Sequence, residues 1–335
     1  MSKKSIQNVL IAVMLVIALL APIVIKNTYV IHILIQTLIY CILSIAINVT
    51  AGYTGILSLG QAGFYGIGAY IAALMDKNTD VPCMLVMLIC AFVTLLLGML
   101  VGLSCAKLTS DYLTLMTIGF GTIVQLVLTN CQSITNGPRG IRGISVPSMF
   151  GYKFNSYTSN YYLYLAIFLI ILIMVHFFLT SRYGRAFIAI RDDETAAASV
   201  GISIPFYKVL SSGIGAMLSG IAGWMLAHFI MYIGPATFST DESILHMEMA
   251  ILGGLGTLSG SILGAVILTV VPQVLQGVWE YRMLITGFLM IIMMIWRPQG
   301  LIGSQAAGKS LIDNLVGLTD LITGRKKSAS HERPQ

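Results

Sequence analysis

The segment Gly52-Tyr-Thr-Gly55-Ile-Leu57-Ser58-Leu-Gly60-Gln61 separates two apolar runs, 29–49 and 61–75, without a single charge. A second segment near the other end, Gly253-Gly254-Leu-Gly256-Thr-Leu258-Ser259-Gly260, repeats the pattern GxxGxLS at a constant offset of 201 residues. Backbone that leaves the helix at membrane depth must have its polar groups covered by protein or by a water-filled cavity, so two such breaks suggest a translocation path. The N–H ends of broken helices attract a carboxylate, and freed carbonyls can receive an ammonium. The alternative reading is that these glycines let neighbouring helices pack closely, as small residues do in any membrane bundle.

Composition supports the membrane. Of 335 residues 57% are hydrophobic and only 10% charged, with a mean hydropathy of +0.88; a soluble domain carries about 25% charged residues. A soluble enzyme is thereby excluded. Apolar stretches of spanning length occur near 8–25, 29–49, 61–75, 82–105, 112–130, 161–180 and 209–232, followed by a long block at 244–275 and a final stretch at 283–296. The run near the N-terminus is read as an uncleaved first span, because no small-residue cleavage site follows it. The expected fold class is an all-α polytopic membrane helix bundle of about 8–10 transmembrane helices with broken or re-entrant segments.

The net charge of +6 is explained by where the cations sit. Lys3 and Lys4 hold the N-terminus in the cytoplasm; six crossings then place Arg182, Arg185, Arg191 and Lys208 inside, as the positive-inside rule requires, and a seventh places Asp241 and Glu242 outside. No nucleic-acid partner is needed. Arg139, Arg142 and Lys153 weigh mildly against the external position this gives the loop 131–160. The tail, with Lys309, Arg325, Lys326, Lys327 and Arg333, belongs inside too. That parity splits the block 244–275 at its glycines into 244–255 and 257–275, for ten crossings; a re-entrant half-helix would leave eight. The domains are 1–300, a membrane domain with a cytoplasmic loop at 181–208, and 301–335, a cytoplasmic tail.

That loop reads Ser181-Arg-Tyr-Gly-Arg185-Ala-Phe-Ile-Ala-Ile-Arg191-Asp192-Asp193-Glu194-Thr195-Ala-Ala197-Ala-Ser-Val-Gly201. Asp192 or Asp193 can cap a short helix, Glu194 suits its first turn, the alanines extend it and Gly201 can end it. Such a helix suits docking into a cleft of another protein.

The stretch from Gly184 to Gly201 resembles the coupling loop of branched-chain amino acid ABC transporter permeases, with Thr195 an insertion relative to the more general Glu-Ala-Ala importer pattern. Asn48-Val-Thr-Ala-Gly52-xx-Gly55-xx-Ser58-Leu-Gly60-Gln61 and Gly253-Gly254-xx-Gly256 resemble the family's other two signatures. The likeness covers roughly residues 30–300 and is closer to the LivM-type subunit than to its LivH-type partner. It implies an importer in the bacterial or archaeal cell membrane with a paralogous LivH-type permease, two cytoplasmic ABC ATPase subunits and an extracytoplasmic substrate-binding protein. ATP and Mg would sit on the ATPases, and this chain would bind no cofactor. It also implies that Arg191, Asp192, Asp193, Glu194, Ala197 and Gly201 couple to the ATPase. Gly52, Gly55, Ser58, Gly60, Gln61, Glu248, Gly253, Gly254 and Gly256 are the candidates for the path. Related permeases carry urea or short amides, which leaves the substrate open.

Gly303-Ser-Gln-Ala-Ala-Gly308-Lys309-Ser310 matches the phosphate-loop pattern GxxxxGK[ST]. The match is read as accidental, because no strand leads into it and the chain offers no nucleotide-binding core around it. His228, His246 and Glu248 are ionisable groups in apolar surroundings. They would serve proton coupling if the chain worked alone as a secondary transporter. No nucleophile and base pair or metal-ligand spacing emerges, and the cysteines Cys41, Cys83, Cys90, Cys105 and Cys131 read mostly as small hydrophobes.

Overall fold

The computed structural model describes residues 27–79, 81–105, 110–149 and 152–274, with isolated positions at Pro22, Gly287, Phe288, Met290, Ile291, Gly300 and Leu301. The expected spans 8–25 and 283–296 and the pattern at 303–310 lie largely or wholly outside the described residues. Within them the chain is a helix bundle. Its principal helices are α1 (Thr28–Ile47), α2 (Gln61–Asn78), α3 (Cys83–Cys105), α4 (Ser110–Asn130), the single turn α5 (Gln132–Thr135), α6 (Tyr157–Thr180), α7 (Arg182–Asp192), α8 (Glu194–Ser199), α9 (Ile204–Ile230), α10 (Thr240–Gly253) and α11 (Leu258–Val274). Five of them, at Thr28–Tyr53, Cys83–Ser104, Tyr112–Asn130, Tyr157–Thr180 and Ile204–Ile230, are long and apolar enough to cross a bilayer. The chain is a multi-pass membrane protein.

The block 244–275 is divided at its glycines, as predicted, but its first piece is too short to be the crossing that the total of ten requires. At 1.5 Å per residue α10, with 14 residues, is about 21 Å long and cannot cross a hydrocarbon core of about 30 Å alone. It begins four residues earlier than the apolar pattern suggested, because Asp241 and Glu242 lie in its first turn, where the helix dipole favours acid.

Helix α9 runs through the middle of the bundle, with Ala216, Trp224, Met225 and Ala227 wholly enclosed. It meets α2 at backbone distance. A Cβ on Gly68 would lie 2.3 Å from the carbonyl oxygen of Gly220, so only glycine allows this crossing. Close approach of this kind replaces the hydrophobic driving force that lipid cannot supply.

Helix α1 runs antiparallel to α11 along a ladder of polar contacts. Gln273 Nε2 donates to Gln36 Oε1 at 3.0 Å, Ser44 Oγ to the Ser261 carbonyl at 3.0 Å, and Asn48 Nδ2 to the Thr257 carbonyl at 2.8 Å. Residue numbers rise on one helix as they fall on the other, so both backbone breaks come to the same end of the bundle. Helices α7 and α8 lie at that end as well.

The opposite end is tied by short strands. β1 (Ile141–Arg142) pairs antiparallel with β4 (Tyr232–Ile233), and β2 (Ser148–Met149) with β3 (Tyr152–Lys153). The described residues of 131–149 and 152–156 are therefore clamped rather than loose. Asp76 at the end of α2 accepts from the Ser145 amide at 2.8 Å and from its hydroxyl. His228 Nδ1 lies 2.9 Å from the Ser145 carbonyl, which can only accept, so this nitrogen carries the proton. Its Nε2 then accepts from the Cys83 thiol at 3.5 Å. His228 is thus a tie between α9, α3 and the clamped segment.

Gly68→Ala is expected to lower stability by about 1–3 kcal/mol, since the backbone it would meet cannot yield. Gly119→Ala, where nothing beyond the neighbouring turns of its own helix lies within 4 Å of the added carbon, should not. Thermal unfolding of the two purified variants in one detergent checks the contrast.

Candidate functional site

The first break is a sequence of three backbone states. Helix α1 passes at Asn48 into a π-helical turn, Asn48–Tyr53, and ends at Thr54. Six non-helical residues follow before α2 starts at Gln61. A π-turn inserts one residue per turn and frees carbonyls from the regular ladder. The chain re-satisfies them locally: Ile56 N donates to the Thr50 carbonyl at 2.9 Å, and Thr54 Oγ1 to the Val49 carbonyl at 3.1 Å. Thr54 Oγ1 also lies 2.8 Å from Ser211 Oγ on α9 and, its own proton being used, accepts from that hydroxyl.

Residues 57–62 are pinned on their far side. Thr114 Oγ1 of α4 donates to the Leu57 carbonyl at 3.0 Å, the Leu59 amide donates to Thr117 Oγ1 at 3.1 Å, and the Ala62 amide to Ser243 Oγ of α10 at 2.9 Å. Gln61, buried, accepts from Ser219 Oγ at 2.7 Å. That interhelical bond is the role expected of such an amide in lipid. Ser58 is buried in the same segment, whereas Gly55 and Leu57 are exposed.

The second break, Gly254 to Thr257, crosses the first. Asn48 is fully buried and spans both: its Oδ1 accepts from the Gly256 amide at 2.7 Å while its Nδ2 donates to the Thr257 carbonyl. A Cβ on Gly52 would lie 2.4 Å from the Gly256 nitrogen, so no other residue fits where the breaks touch. Gly55 and Gly256 both adopt positive φ, +78° and +81°. Gly253 packs on the Gly260 carbonyl. Leu301 N donates to the Leu252 carbonyl at 3.0 Å, so the chain beyond the last apolar stretch returns to this same point.

The loop between α6 and α9 reaches the crossing directly. It forms two helices where one was expected, because Asp193 adopts an extended conformation between α7 and α8. Of the two candidate caps Asp193 is the one used: its Oδ1 accepts from Thr195 N at 2.8 Å and Ala196 N at 3.0 Å. Arg191, in the last turn of α7, donates from Nη1 to the Gly52 carbonyl at 2.9 Å. Its Nη2 lies 2.9 Å from Asp192 Oδ1, and its aliphatic stem packs on Gly55. Ala197 is buried, and Gly201 beyond α8 takes φ +86°. Glu194 pairs with Lys208 of α9, Oε1 to Nζ, at 2.7 Å.

The structure therefore gathers Gly52, Gly55, Gly256 and Arg191 at one point, with Gly253 and Gly254 in the adjoining turn. Gly60 and Gln61 lie further into the bundle. Glu248 is half-buried on α10, five residues before Gly253. His246 is fully enclosed, its ring 5.5 Å from that of Tyr40 and 5.9 Å from that of Tyr65, with Glu242 Oε2 3.6 Å from Nε2. Asn48 was missed as a site residue, although an amide inside an apolar span just before a glycine cluster is a readable signal. The contact of Arg191 with Gly52 joins positions 139 apart, and nothing local announces it.

Asn48→Ala strands a buried amide and a buried carbonyl and should cost about 2 kcal/mol. Ser44→Ala, which removes a single interhelical bond on the same face, should cost about 0.6 kcal/mol. Unfolding in mixed micelles distinguishes them, and equal losses would mean the crossing is not held by Asn48.

Residues 29–294 match the family described as branched-chain amino acid transport system, permease component. The chain is 35% identical over 319 residues to the high-affinity branched-chain amino acid transport system permease protein LivM of Salmonella typhimurium, covering 88% of this chain and 75% of that one. It is 34% identical to LivM of Escherichia coli over the same shares. With LivH of Salmonella typhimurium it shares 26% identity over 295 residues, 81% of this chain and 93% of that one. No solved structure matches. With its polytopic helix bundle and two crossed backbone breaks, the chain belongs to the family of branched-chain amino acid transport permeases.

Proposed function

We propose that this chain is the LivM-type permease subunit of an ATP-driven importer, carrying branched-chain amino acids delivered by an external binding protein. It works beside a LivH-type permease and above two cytoplasmic ATPases that hold the ATP and Mg. The chain itself binds no cofactor and performs no chemistry. It sits in the cell membrane with both termini in the cytoplasm, a membrane domain over 1–300 and a cytoplasmic tail over 301–335. The cations Arg182, Arg185, Arg191 and Lys208 all belong to the end that carries the two breaks, which supports that orientation.

The observation that carries the reading is the bond from Arg191 to the Gly52 carbonyl. A partner that pushes on α7 and α8 moves the guanidinium, and the guanidinium holds a freed carbonyl of the first break. Because Asn48 ties the first break to the second, both move together. Gly52, Gly55, Gly253, Gly254 and Gly256 form the gate; Ser58, Gly60, Gln61 and Glu248 stand along the path. Asp192 and Asp193 keep Arg191 and α8 in position, and Glu194, Ala197 and Gly201 complete the surface that meets the ATPase. A two-state element biased from one side is what alternating access needs.

Arg191→Ala in the reconstituted transporter is expected to cut ATP-driven leucine uptake about tenfold or more, within the usual range of a coupling energy, while ATP hydrolysis continues. Unchanged uptake would remove the loop from the mechanism.

A further inference from the structure

Lys208 lies in the first turns of α9 with its side chain only 9% exposed, whereas the side chain of its partner Glu194 is 52% exposed. The cation is fixed inside the bundle and the carboxylate rides on α8, the short helix at its rim. A buried ammonium left without an anion costs several kcal/mol, so any motion that carries Glu194 away creates a demand for another carboxylate at Lys208.

The surroundings suit one. Lys208 borders a cleft between the first break and helices α3, α4 and α9, lined by the hydroxyl-bearing residues Thr50, Ser58 and Ser212 and by Ile56 and Leu113. The Ser58 hydroxyl makes no hydrogen bond among the described residues. One cation, several hydroxyls and branched apolar walls complement a zwitterion with an aliphatic side chain: carboxylate to Lys208, ammonium to hydroxyl oxygens, side chain to Ile56 and Leu113. The free volume is about 10 Å³, room for one water and too little for an amino acid. The cleft is closed in this conformation.

We propose that Lys208 is a carboxylate subsite at the inner end of the path, held shut by Glu194, and that withdrawal of Glu194 with α8 hands the cation to the carboxylate of the travelling amino acid. The inference rests on the importer reading for the identity of the cargo. It adds a binding residue and a reason for the site to open only when the coupling helix moves.

All lining residues belong to this chain, so binding is measured on the full chain in lipid nanodiscs with tritiated leucine, competed by 4-methylpentanoate, which keeps the carboxylate, and 3-methylbutylamine, which lacks it. Glu194→Gln is expected to tighten leucine binding about tenfold, a gain that Lys208→Met in the same chain abolishes. The acid should compete and the amine should not. Equal affinity of wild type and Glu194→Gln, or equal competition by the amine, overturns the subsite. If tritiated 4-methylpentanoate binds with this pattern and leucine does not, the subsite stands and the branched-chain cargo falls. The exchanged pair, Lys208→Glu with Glu194→Lys, restores the ion pair while inverting its polarity and guards against simple misfolding. It should assemble as wild type does yet import leucine at least about tenfold more slowly in the complete transporter. Wild-type import by the exchanged pair would leave the cargo reading intact and refute the subsite.

Discussion

One buried carboxamide holds the architecture together. In hydrocarbon a backbone group cannot turn to water for its hydrogen bond, so every departure from the helix must be answered by protein. Asn48, where the first departure begins, answers two backbone groups of the second at once, accepting from Gly256 and donating to Thr257. The crossing it makes is close because Gly52 brings no side chain to it. Remove that amide and the Gly256 N–H and the Thr257 carbonyl each need another partner, for which the crowded contact leaves no space.

From this point the rest of the bundle takes its form. The π-turn that begins at Asn48 lets α1 end inside the bundle, and α2 can then restart at Gln61 against α9. Both glycine segments face the same end as α7 and α8, which lets Arg191 reach the Gly52 carbonyl. At the far end the clamp of Asp76, Ser145 and His228 fixes the ends of α2 and α9. One end is stapled by side chains onto paired strands; at the other, side chains such as Arg191 and Asn48 hold backbone that has left the helix.

Much of this was legible in the residues. Apolar run length placed the helices between 28 and 274 to within a few residues, and five of them have the length and apolarity that lipid imposes on a span. The glycine segments were recognisable as breaks and separate α10 from α11, whereas the parity of the positive charges counted as a crossing a helix too short to be one. The helix count inside the loop was not: Asp193 serves as cap of α8 while ending α7, and one residue in extended conformation leaves no compositional trace. Nor was the meeting of the two breaks. Their likeness at an offset of 201 suggested repetition, whereas contact between them depends on the register of α1 against α11, which is set by pairs such as Ser44 with Ser261. Long-range register of this kind is invisible to any window along the chain.

The most direct test follows the crossing itself. Leu57 and Val200 are both exposed, one on the first break and one beside α8, and cysteines there can carry spin labels in the assembled transporter. Pulsed electron resonance should show their separation shift by several ångströms between the nucleotide-free state and the state with ATP trapped on the partner subunits. Identical distance distributions in the two states, in a preparation that imports leucine, would contradict a gate built from the crossed breaks and worked through Arg191.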